Sequence, residues 1–90
     1  VSMGWAAARK LRRALDGLAR VIAIEAMTAA RAADLRAPLR PGPRTGAVIA
    51  ALRTAVPGPG PDRHLSPEIE AAHALVASGA LRAAAALPLP

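Results

Sequence analysis

The sequence predicts an all-α fold, and three observations carry that prediction. Apolar residues recur at helical spacing, no stretch alternates like a strand between hairpin turns, and proline and glycine gather in two clusters that leave three proline-free segments. The expected order is a long helix over residues 1–37, a Pro/Gly linker over 38–44, a short helix over 45–56, a Pro/Gly loop over 57–66 and a C-terminal helix over 67–87. Ninety residues make at most one small domain, and more than a quarter of them are alanine. Alanine favours helix but contributes little area when buried, so three such helices close only a thin core.

The first helix is amphipathic at its start. At about 100° per residue, Leu11, Leu15, Leu18, Ile22 and Ala29 form one stripe, while Arg9, Arg13, Asp16, Arg20 and Arg31 gather opposite. Asp16 and Arg20 stand four apart with the acid first, the favoured order for a helical ion pair. From Val21 onward, Ile24 and Met27 carry apolar surface almost all the way round, so the second half is expected to be covered only in a larger assembly. Gly17 costs roughly 1 kcal/mol against alanine in a helix, and close packing of another backbone is the expected reason for it.

The second helix is expected to start from Thr45 as N-cap, carry Val48, Ile49, Leu52 and Val56 on one stripe, and stop at Pro57. The third is expected to start from Ser66 as N-cap with Pro67 at its first position. Glu68 and Glu70 then fall near the positive end of the helix dipole, and Gly79 is placed as a terminator.

Composition removes several function classes. The net charge is +6, almost all from arginine, yet Trp5 is the only aromatic residue besides two histidines. Single-strand binders interleave cations with rings on which bases stack, so the arginines read as a solvated face and no nucleic-acid partner is expected. The apolar run after Arg9, Lys10, Arg12 and Arg13 is cut by Asp16, Arg20 and Glu25, which leaves no signal peptide and no membrane span. The absence of cysteine excludes a disulfide framework and thiolate zinc sites. The expected setting is the cytoplasm, and the opening residue Val1 is expected of a truncated or processed chain.

Site chemistry is sparse. Glu70 and His73 share a helical face, but with His64 in a loop they make two ligands without a third. Gly58-Pro59-Gly60-Pro61 is no phosphate cradle, because two of its four residues lack the N–H groups such loops use; it is a stiff connector. Glu25 falls inside the Leu11 to Ile22 stripe, where a carboxylate is either raised in pKa or met by an arginine from another element. A structural ion pair is the expected case. No residue is assigned a catalytic, cofactor-binding or metal-binding role.

Several short runs, taken in order, resemble the last part of an aromatic amino acid ammonia-lyase. These are Val1-Ser2-Met3-Gly4, Ala7-Ala8-Arg9-Lys10-Leu11, Ile24-Glu25 and Leu35-Arg36-Ala37-Pro38-Leu39. The run Pro57-Gly58-Pro59-Gly60-Pro61-Asp62-Arg63, followed by Pro67 and Ser78-Gly79, is similar to the histidine-specific, actinobacterial branch of that family. The likeness spans roughly residues 1–82. It implies a cytoplasmic, all-helical homotetramer that takes ammonia from L-histidine to give trans-urocanate in histidine degradation. It further implies a methylidene-imidazolone electrophile made from an internal Ala-Ser-Gly in a segment absent here.

By that resemblance this chain is a C-terminal piece of a helical-bundle lyase fold. Its partners are then the rest of the polypeptide and its sister subunits, and it is inactive alone. Ala77-Ser78-Gly79 repeats the cofactor tripeptide, but Ala80-Leu81 follows it where the family has Asp-Leu, so it reads as a helix ending. The alternatives are a segment of a phenylalanine or tyrosine ammonia-lyase or aminomutase, or a small non-enzymatic module that binds a partner through the Leu11 to Ile22 face.

Overall fold

The structure is a computed structural model that describes residues 3–86. Val1 and Leu87, the expected outer limits of the first and last helices, lie outside the described residues. Among the described residues four helices follow in order: α1 (Met3–Leu35), α2 (Pro43–Arg53), α3 (Ser66–Ala77) and α4 (Ala80–Ala84). The class is all-α, with one more helix than the three expected.

Most departures from the expected boundaries have a local cause. α1 ends in tight turns, where the Arg36 and Ala37 amides donate to the Ala33 and Asp34 carbonyls at 3.2 and 3.3 Å. α2 starts two residues before Thr45, with Gly42 as N-cap and Pro43 in the first turn. Proline's fixed φ and missing N–H suit the helix start better than any side-chain cap, so Thr45 is left inside the helix. α2 closes at Arg53, and the Val56 amide still donates to the Leu52 carbonyl at 2.9 Å before Pro57, which has no N–H to continue.

α3 begins at Ser66 itself, with Leu65 as the N-cap residue and no side-chain cap bond. The expected single helix over 67–87 is split at Gly79, whose φ of 80° is left-handed. That conformation ends α3 and turns the chain into the five-residue α4.

α1 packs chiefly on α3, and α2 chiefly on α4. The core is thin. Ala23 and Ala30 of α1, Leu52, Val56 and Ala72 form its buried centre, and Leu52 and Val56 are the largest side chains fully enclosed. The small alanines let the helix axes approach closely, while Met27, Ile49, Leu75 and Val76 fill the margin. A 33-residue helix is about 50 Å long, so α1 sets the 59 Å long dimension of the molecule. The radius of gyration is 15.7 Å, against about 12 Å for a compact domain of this size.

The second half of α1 is thus covered in part by the chain itself, a correction to the expectation that only assembly would cover it. Ala23, Met27 and Ala30 turn inward because residues 43–77 fold back on that end of α1. The uncovered apolar surface of α1 includes the stripe that begins in the first half, Val21 and Ile24, and Met3, Trp5 and Leu35 towards its two ends.

Candidate functional site

Three arrangements of side chains could carry function. The first is the loop between α2 and α3, strapped down by two guanidinium groups. Arg53 donates to the Asp34 carboxylate on α1 and to the Pro57 carbonyl oxygen at 3.2 Å. Arg63 grips Glu68 with two bonds, Nε to Oε2 at 2.7 Å and Nη2 to Oε1 at 3.0 Å, and Nη2 also reaches the Gly58 carbonyl at 2.9 Å. The fork geometry holds Glu68 below the usual carboxylate range and pushes Arg63 up. Beneath this strap lies a shallow cavity of about 150 Å³, walled by Ile24, Met27, Val56 and Ile69 with Arg31 at its edge. The loop is a stiff connector whose carbonyls face arginines, the reverse of an anion cradle.

The second is a pair that sequence spacing did not reveal. Arg20 reaches across fifty positions to Glu70, with Nε to Oε1 at 3.2 Å and Nη2 to Oε2 at 3.3 Å. Arg20 therefore bonds α3 rather than its expected helical partner Asp16, because packing α3 on α1 offers a second carboxylate with bidentate geometry. The bond lowers the pKa of Glu70. It also occupies the carboxylate that could have joined His73 as a ligand. His64 lies exposed in the loop, and among the described residues no group of three His, Asp or Glu side chains could hold a metal ion.

The third is the free face of α1. Leu11, Leu15, Leu18 and Ile22 are 61%, 55%, 53% and 43% exposed. Glu25 continues this line, but it is exposed and enters none of the three ion pairs of the described residues. Within this chain α2 and α3 lie on the other side of α1, so the expected arginine partner of Glu25 is not one of this chain's own described residues. Near the start of α1, the Arg9 guanidinium sits 5.7 Å from the centre of the exposed Trp5 ring.

Ala77-Ser78-Gly79 does not fit a methylidene-imidazolone precursor. Ala77 and Ser78 are exposed. The Ser78 hydroxyl donates to the Leu75 carbonyl at 3.2 Å and accepts from the Ala80 amide at 3.3 Å. The Gly79 amide donates to the Val76 carbonyl at 3.1 Å. All three residues serve a helix ending open to solvent, whereas cyclisation needs a compressed loop in a protected pocket.

Comparison with known proteins adds what the geometry alone does not. The sequence profile of the family described as aromatic amino acid lyase matches residues 1–54. A histidine ammonia-lyase of Streptomyces coelicolor is 60% identical over 86 residues, covering 94% of this chain and 17% of that protein. Those of Streptomyces avermitilis and Sorangium cellulosum are 57% and 48% identical over 86 and 84 residues, covering 94% and 93% of this chain. The chain spans only 17% and 16% of the length of these two relatives. No solved structure matches.

Proposed function

The chain belongs to the aromatic amino acid lyase family, and from that premise we propose that it is the C-terminal helical segment of a histidine ammonia-lyase. The intact enzyme would convert L-histidine to trans-urocanate and ammonia in the cytoplasm. The observation that carries this reading is the 60% identity across 94% of the chain to a histidine ammonia-lyase.

Within that enzyme the segment supplies scaffold and subunit contacts in a homotetramer and no catalytic group. Two features support this role. The loop and helix ends are knitted by Arg53 and Arg63 into a fixed shape, and the Leu11 to Ile22 stripe stands open where other helices can pack. The methylidene-imidazolone belongs to a segment other than Ala77 to Gly79, whose groups are committed to capping.

The test compares the 90-residue chain with the polypeptide of full lyase length that carries it. With L-histidine, the short chain gives no rise in urocanate ultraviolet absorbance and the long one does. Turnover of L-phenylalanine or L-tyrosine instead of L-histidine would move the segment to another branch of the family. No turnover of any of the three would favour a non-enzymatic helical module.

A further inference from the structure

Along the free face of α1, Leu11, Leu15, Leu18, Ile22, Glu25 and Ala29 alternate steps of four and three, the spacing of a coiled-coil seam. Continued backwards, the seam passes through Ala8. From Leu11 to Glu25 it is exposed and points away from Ala23, Met27 and Ala30, so the chain's own α2 and α3 leave that stretch open; only Ala29, at its end, borders α2. Its charges are unevenly placed. Lys10 and Arg12 flank Leu11 on either side at one end, and Glu25 sits in the seam at the other. All three are exposed and lie outside the ion pairs of the described residues.

We propose that this seam docks on the same seam of a second copy of the chain, with the two α1 helices antiparallel. The proposal rests on the subunit-contact reading above and names the surface and register of one such contact. Charge complementarity selects the orientation. A parallel pair would set Glu25 against Glu25, a like-charge contact in an apolar seam. The antiparallel pair is isologous, with Leu15 opposite Leu18, Leu11 opposite Ile22 and Glu25 opposite Ala8. Ala8 leaves room for the carboxylate, which then lies within a turn of Lys10 and Arg12 of the second copy. Ala14 and Ala19 on the seam margins let the two backbones approach closely.

Cysteine pairing tests this on the 90-residue chain, which contains no native cysteine. Under mild oxidation L11C/I22C should shift from one chain mass to two on a non-reducing gel. L11C alone should not, because the antiparallel register sets its two copies about 16 Å apart along the axis. Crosslinking by L11C alone would mean a parallel pair and overturn the proposal, as would the absence of any crosslink. As a second arm that leaves the leucines intact, R12E should shift sedimentation toward monomer and R12E/E25R should restore the dimer. Failure of that restoration also counts against the proposal. Urocanate formation is scored separately on the full-length polypeptide, so a crosslinked chain whose parent turns over no histidine sinks the lyase reading and leaves the docking intact.

Discussion

Glu68 holds the loop between α2 and α3 through Arg63, and proton concentration decides whether it does. Its pKa is lowered because the charged form accepts two guanidinium bonds. A depressed carboxylate contributes stability that is complete above its ordinary value near 4.5 and lost as pH falls through the lower folded value. Wild type should therefore melt above Glu68→Gln at neutral pH, with the gap closing in acid; a gap constant down to pH 3 would mean that the pair contributes nothing. Gly17 makes the opposite case. A Cβ built there meets nothing within 4 Å, so the expected close backbone approach is not supplied by this chain. Gly17→Ala should stabilise the isolated chain by about 1 kcal/mol in a denaturant titration. Its loss of activity in the full-length polypeptide would place another backbone against Gly17. Arg20 shows why such partners escape a sequence reading: Asp16 is near in sequence, but Glu70 is near only after α3 has docked.

Among the elements, the helices were legible and their ends less so. The three proline-free segments correspond to α1, α2 and the α3–α4 pair because helical periodicity is set by local sequence. The misplaced start at Thr45 has a local cause, since Pro43 takes the first position of α2; at Ser66 the shift is one residue, from N-cap to first helical position, and Pro67 does not explain it. Gly79 was legible as a stop, but not that the chain would resume as α4 beyond it. Its φ of 80° is comfortable only for glycine, and the nearest atom to an added Cβ, Arg82 Nη2, is 3.9 Å away. Gly79→Ala should therefore cost about 1 kcal/mol through backbone strain and not through a clash. Equal thermal stability of the two proteins would show that the α3–α4 junction bends without a left-handed residue.

For the molecule as a whole, the core is too thin and the free face of α1 too apolar for the chain to be a self-contained domain. A chain of this kind should self-associate, and its sedimentation coefficient should rise with concentration in the micromolar range. A concentration-independent compact monomer would contradict the scaffold role. The location of the free face was the hardest feature to read in advance. The change of pattern at Val21 was visible, but which side of α1 residues 43–77 would cover depends on contacts fifty positions apart, as between Arg20 and Glu70. Glu25 was placed correctly in the apolar line, but whether that line is buried depends on partners outside these residues.

The most direct test of the lyase-segment reading is a graft: the matching segment of the Streptomyces coelicolor histidine ammonia-lyase, 60% identical, is replaced by this chain. Urocanate formation from L-histidine is then followed together with the oligomeric state. An active chimera that sediments as the parent enzyme is the predicted result. A chimera that folds but remains dissociated and inactive would contradict the assignment of this chain as the scaffold segment of a histidine ammonia-lyase.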